Sequence, residues 1–247
     1  MLAFTIDLEK KIVYNNSDIL LKRGVKVSFA KLAVGIISRY MRAVYRPRFT
    51  YADKETQSER FTSPTVIIAN HTDHKDALFL LSALKGDIAT LTARDWCEKP
   101  VIGKILIGGG CIPCDRGGLD TQWLREARDA VSRGRSVLIF PEGRTRTDGE
   151  LNEFKSGFAM LSAMTGAPVV CVGLSGKYRA FHRTYAAVGL PQETDRRRCM
   201  DSAYLKDVSS GFRQEAYALK TAAMEKRSPE IRGRTAGTEA EAVREQK

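Results

Sequence analysis

Two short stretches hold residues whose types could do chemistry together. NHTDHKDA places His71 five positions before Asp76, with Asp73 and His74 between them, and PEGRTRTDG sets Glu142 and Gly143 beside Arg144 and Arg146, with Lys155 close behind. A histidine with an orienting carboxylate is a candidate general base. Guanidiniums converging in a glycine-containing loop form a planar fork suited to phosphate. The spacing restricts the first pair, because residues five apart on a regular helix differ by roughly 140° around its axis. His71 and Asp76 meet only if His71 lies in the turn before a helix and Asp76 in its first turns, so that the carboxylate fixes one imidazole nitrogen and the other faces substrate. On spacing alone, plainer roles stay open: Asn70, Thr72 or Asp73 as helix caps, His71 as an ordinary loop histidine, and Arg144, Arg146 and Lys155 as a solvated charge run. Arg116, followed by Gly117 and Gly118, is open to the same two readings. A zinc site built from His71, His74 and a carboxylate has irregular ligand spacing, and Cys111 and Cys114 form a CxxC without a second pair of ligands.

Both loops follow short apolar runs, and those runs must position them. TVIIA (65–69) reads as a buried strand followed by a helix over roughly Asp76 to Leu84. DIATLTA is a second strand candidate, and KILIGGGCIPC holds a third. Asp120 can cap a helix whose Leu124, Ala127, Ala130 and Val131 share a face, closed by Gly134. SVLIF (136–140) is a further strand, then come a loop, a helix around Phe154 to Met164, and the strand APVVCVG. Strands alternating with helices at this spacing predict an α/β fold, a mostly parallel central sheet covered by helices on both faces. In open parallel sheets ligands bind at the carboxyl ends of the strands, which is where both chemical loops fall.

The flanks differ from this centre. Residues 1–24 carry little pattern. Residues 25–46, laid on a helix at about 100° per residue, gather Ser28, Lys31, Gly35, Ser38, Arg39, Arg42 and Arg46 into one narrow polar stripe on a broad apolar body. That is the pattern of an amphipathic helix lying in a membrane interface, and equally of a helix packed on the domain with an exposed basic edge. Residues 47–63 read as a linker, 64–224 as the α/β domain, and 225–247, with its Ser, Pro, Gly, Glu and Arg, as a disordered tail. The uncharged run from Phe158 to Gly176 is long enough for a membrane span, but Gly166 and Pro168 divide it into helix and strand, so no transmembrane helix is expected. The amino terminus has no continuous apolar core of the kind an export signal carries. Five scattered cysteines argue against a disulfide framework. Lys and Arg number 40 against 29 Asp and Glu, a net charge of +11, which calls for an anionic partner: nucleic acid, an anionic membrane or a phosphorylated ligand.

Taken in order, four blocks narrow that choice. NHTDHKD resembles the His-x-x-x-x-Asp motif of the glycerolipid acyltransferases, the family of 1-acylglycerol-3-phosphate acyltransferases and related lysophospholipid acyltransferases. GGCIPCDRGG is similar to the family's second block, FPEGRTRTDGELNEFKSG to its third and APVVCVG to its fourth, and together they span about residues 64–176. In the third block the family usually has Thr then Arg after Glu-Gly, whereas this chain has Arg144, Thr145, Arg146. The resemblance implies O-acyl transfer from acyl-CoA or acyl carrier protein to the free hydroxyl of a lysophospholipid, lysophosphatidic acid foremost, with glycerol 3-phosphate or a non-phosphate lysolipid as the sibling acceptors. It implies His71 as general base and Asp76 as its orienting partner. Arg116, Glu142, Gly143, Arg144, Arg146 and Lys155 become the substrate-binding set, with no metal or cofactor. It also implies a peripheral or monotopic enzyme on the cytoplasmic face of an anionic membrane, and it moves nucleic acid out of the leading partners, since no basic cluster here interleaves with aromatics.

Overall fold

The structure is a computed structural model that describes residues 18–20, 26–52, 64–115, 121–145, 150–176 and 178–244. Its strands are β1 (Asp18–Leu20), β2 (Lys26–Ser28), β3 (Pro47–Tyr51), β4 (Val66–Ala69), β5 (Ile88–Ala93), β6 (Ile112–Cys114), β7 (Ser136–Ile139), β8 (Val169–Leu174) and β9 (Thr184–Val188). Its α-helices are α1 (Phe29–Tyr45), α2 (Asp76–Ala83), α3 (Arg94–Cys97), α4 (Ile102–Gly108), α5 (Gln122–Ser132), α6 (Gly157–Thr165) and α7 (Ser202–Arg244).

VIIA, SVLI and VVCVGL carry no charge on either side of the pleat, so these strands are stable only when both faces are covered. They form the middle of a seven-stranded sheet ordered β3-β9-β8-β4-β7-β5-β6. Neighbours are parallel except β8 and β9, so the edge pair β3 and β9 runs against the other five strands. Successive residues feed opposite cores, as the period of two requires. Val66, Ile68, Val137, Ile139, Val169 and Cys171 pack with Ala127 of α5, Phe158 of α6 and Phe212 of α7. Ile67, Leu138, Val170 and Val172 pack with Met41 and Val44 of α1 and Phe79 and Leu80 of α2. Phe79 and Phe158 are wholly buried, and burial of each such ring contributes roughly 1.5–3 kcal/mol.

The sheet and both helical layers agree with the sequence reading, and four local assignments change. Lys26–Ser28 pairs antiparallel with Asp18–Leu20, so the first helix starts at Phe29 and not at residue 25. The expected linker opens with a strand, because RFTY alternates in the β manner and hydrogen-bonds to β9, and Pro47 is tolerated at the first position of an edge strand. Within KILIGGGCIPC only Ile112–Cys114 is extended, while Ile102–Gly108 is helical and packs under α1. Residues 225–244, expected to be a disordered tail, continue α7. The segment includes Pro229, Gly233 and Gly237, which disfavour a helix interior by roughly 3, 1 and 1 kcal/mol, so the packed first half of α7, with Leu205, Phe212 and Ala216 buried, is what anchors the helix.

α1 shows how its amphipathic pattern divides. Ala30, Met41, Val44 and Tyr45 are buried against the domain, and Leu32, Ile36 and Tyr40, each one turn from the next, stay at the surface beside Arg39, Arg42 and Arg46. Among the described residues no helix is long and apolar enough to cross a membrane.

Candidate active site

β4 is followed directly by Asn70, whose buried amide extends the sheet by one rung. Leu174 N–H donates to Asn70 Oδ1 at 2.6 Å, and Asn70 Nδ2 donates to Leu174 O at 3.2 Å. Beyond this rung the chain leaves the sheet as a turn, and α2 begins at Asp76. His71 thus lies before the helix and Asp76 in its first turn, where a carboxylate also favours the positive end of the helix dipole.

His71 Nδ1 is 3.0 Å from Asp76 Oδ2. The Asp76 carboxylate is fully buried, so its oxygens need partners within the protein. Oδ2 also accepts the backbone N–H groups of Thr72 (2.6 Å) and Asp73 (2.9 Å), and Oδ1 accepts the hydroxyls of Tyr178 (2.5 Å) and Thr72 (3.2 Å). Burial, with Asp76 beside it, pushes the Tyr178 phenol well above its ordinary range, which keeps it a hydrogen-bond donor. The tyrosine ring is held edge-on by Tyr45 and Phe79. With Nδ1 committed to Asp76, Nε2 is the imidazole nitrogen left for chemistry. Phe140 stacks on the ring, with centroids 4.3 Å apart.

The second loop joins the first through Glu142. This buried carboxylate accepts His71 N–H on Oε1 at 2.8 Å and, on Oε2, the backbone N–H and side-chain amide of Asn152 at 3.0 and 3.2 Å. Glu142, expected among substrate-binding groups, therefore directs both oxygens at the protein and ties the two loops together. Gly143 sits at φ +68°, and a Cβ there would come 3.3 Å from Cε and Nζ of Lys155, so the loop turns tightly against the lysine stem. Arg144 is exposed and donates to Asn152 Oδ1 at 3.4 Å. Arg116 and Arg146 lie outside the described residues.

These groups border a cleft of about 170 Å³. Its lining is mixed: His71, Asp115, Arg144 and Lys155 are polar or charged, and Leu91, Trp123, Ile139, Phe140 and Phe158 are apolar. Cys97, Cys111 and Cys171 are poor nucleophiles, since burial raises the Cys97 thiol to about 11 and also raises Cys111 and Cys171. Tyr178, Asn152 and Asn70 were not singled out as site residues from the sequence. Asn70 follows directly on a buried strand and was legible at most as a cap; Tyr178 and Asn152 join the site only through tertiary contacts.

The family model described as Acyltransferase matches residues 48–175, slightly more than half of the chain. The chain belongs to this acyltransferase family. A chloroplastic 1-acyl-sn-glycerol-3-phosphate acyltransferase of Brassica napus is 34% identical over 116 residues, 46% of this chain and 33% of that protein. The human 1-acyl-sn-glycerol-3-phosphate acyltransferase beta is 26% identical over 186 residues, 74% of this chain and 64% of that protein. The chain thus spans between a third and two thirds of the length of these curated relatives. Among solved structures, the 1-acyl-sn-glycerophosphate acyltransferase PlsC of Thermotoga maritima superposes with a TM-score of 0.56 at 18% identity, covering 80% of this chain and 81% of that one. That likeness concerns the fold.

Proposed function

We propose that the protein transfers a fatty acyl group from a thioester, acyl-CoA or acyl carrier protein, to the free hydroxyl of lysophosphatidic acid, giving phosphatidic acid. The observation that carries this reading is the His71–Asp76 pair at a cleft whose lining combines Arg144 and Lys155 with the apolar Leu91, Trp123, Ile139, Phe140 and Phe158. His71 Nε2 takes the proton of the acceptor hydroxyl as its oxygen attacks the thioester carbonyl carbon. The tetrahedral intermediate collapses, the C–S bond breaks, and the departing thiolate recovers the proton from the imidazolium. An ester and a thiol result, without an acyl-enzyme. Asp76 holds the imidazole orientation and faces the positive charge that develops on it. Arg144 and Lys155 receive the acceptor phosphate, and the apolar walls receive hydrocarbon, so that the hydroxyl approaches the thioester as an effectively intramolecular partner.

Both acceptor and product are amphiphiles held in a bilayer, and the outward face of α1 suits that setting. Leu32, Ile36 and Tyr40 enter the head-group boundary while Arg39 beside them meets anionic lipid. The enzyme then works as a peripheral protein on the membrane face from which its thioester donor arrives.

The test is a lipid-product assay in which lysophosphatidic acid, other lysolipids and glycerol 3-phosphate are offered with acyl-CoA and acyl carrier protein in parallel. Phosphatidic acid is expected as the dominant product. Preferential acylation of glycerol 3-phosphate or of a phosphate-free lysolipid would overturn the acceptor assignment.

A further inference from the structure

Asn152 stands behind both halves of the site. Its backbone N–H and Nδ2 both donate to Glu142 Oε2, and Glu142 Oε1 receives the N–H of His71. Its Oδ1 accepts the Arg144 guanidinium. Only a primary amide offers a donor and an acceptor in this arrangement: aspartate lacks the donor, and an aliphatic side chain lacks both. The segment carrying Asn152 is held from outside, since Arg213 on α7 donates from Nε to Asn152 O at 2.9 Å and from its terminal nitrogen to Leu151 O at 2.7 Å. A chain of hydrogen bonds therefore runs from the C-terminal helix, through Asn152 and Glu142, to the backbone of the histidine.

We infer that Asn152, anchored by Arg213, is a positioning residue that fixes the histidine turn and the Arg144 loop relative to one another. The inference rests on the reading of His71 as the base and Arg144 as a phosphate ligand. If Asn152 moves, Glu142 loses the partners of one oxygen and the His71 amide loses the rigidity of its acceptor. Arg144 loses its lateral support in the same step. Proton abstraction and phosphate binding are thereby expected to weaken together, although Asn152 touches neither reacting atom.

The deciding variant is Asn152→Asp, which keeps the size of the side chain and places a second carboxylate against Glu142. It is measured with Asn152→Ala, Arg213→Ala and Arg213→Lys. Asn152→Asp is expected to lower kcat and raise KM for lysophosphatidic acid, each by about tenfold, and to do so more severely than Asn152→Ala. Arg213→Ala is expected to give the same pattern more weakly, and Arg213→Lys, which keeps one donor for the two carbonyls, to recover part of the loss. Amide hydrogen exchange at His71, read on the same proteins at matched thermal stability, is expected to accelerate in Asn152→Asp and Arg213→Ala. Wild-type kinetics and unchanged His71 protection in Asn152→Asp would overturn the inference. The exchange readout separates the two levels: a wild-type protein that makes no phosphatidic acid contradicts the proposed function, while His71 protection still decides whether Asn152 and Arg213 position the turn.

Discussion

At the scale of single residues, the site is organised around one buried carboxylate. Asp76 receives the imidazole, two backbone N–H groups and two hydroxyls, and each of these contacts limits the orientations open to His71. Tyr178 supplies the contact that comes from farthest along the chain, 102 positions away. Replacing it with Phe removes one of the two hydroxyls on Asp76 Oδ1, a hydrogen bond worth roughly 0.5–1.5 kcal/mol. Tyr178→Phe is accordingly expected to lower kcat about tenfold with KM for both substrates little changed, and steady-state kinetics with an unaltered kcat would remove the tyrosine from the account. The His71–Asp76 pair was legible in the sequence because its two members are five residues apart and a strand-turn-helix transition is a local event. Tyr178 and Arg213 were not, because no periodicity or composition rule connects positions 61 to 102 residues distant, and Asn152, though only 8 to 10 positions from Arg144 and Glu142, lies in a loop with no periodicity to place it. The role of Glu142 was only half legible: its presence in the loop was plain, and its engagement with His71 N–H and Asn152 required the tertiary structure.

At the scale of elements, uncharged strands and the helices between them could be read from their pattern because β4, β7 and β8 are buried on both faces. β3 and β9, with the antiparallel β8–β9 step, could not be read in that way, since an edge strand such as RFTY carries polar residues and is defined by the neighbour it pairs with. α1 is the element where a single pattern served two ends. Its hydrophobic positions are divided between the domain, through Met41 and Val44, and the outer surface, where Ile36 is 59% exposed and Tyr40 58%. Returning an exposed isoleucine to water when the protein leaves a bilayer forfeits roughly 1.5–3 kcal/mol. Ile36→Glu is therefore expected to weaken association with anionic vesicles at least tenfold while leaving thermal stability within about 0.5 kcal/mol of wild type, as for an ordinary surface substitution. Vesicle co-sedimentation equal to that of the wild type would contradict an interfacial role for this face.

At the scale of the whole molecule, the sheet brings the carboxyl ends of β4, β5, β6 and β7 to one cleft and places α7 across the back of the loops that line it. Under the proposed function the net charge of +11 gains a partial physical account: Arg39 on the outer face of α1 is assigned to lipid head groups, and Arg144 with Lys155 at the cleft to a phosphate. The three arginines 196–198 are exposed, and Arg198 is paired with Asp201 at 2.7 Å. What joins these features is a single claim, that His71 abstracts a proton from a phosphate-anchored hydroxyl at a membrane surface. The most direct test is phosphatidic acid formation from lysophosphatidic acid and acyl-CoA or acyl carrier protein, measured side by side for the wild type and for His71→Ala at equal folded concentration and equal vesicle binding. The account predicts turnover by the wild type and a loss of at least about a hundredfold in the variant, as general-base catalysis of 10²–10⁴-fold disappears. A variant that retains a tenth or more of the wild-type rate would contradict it.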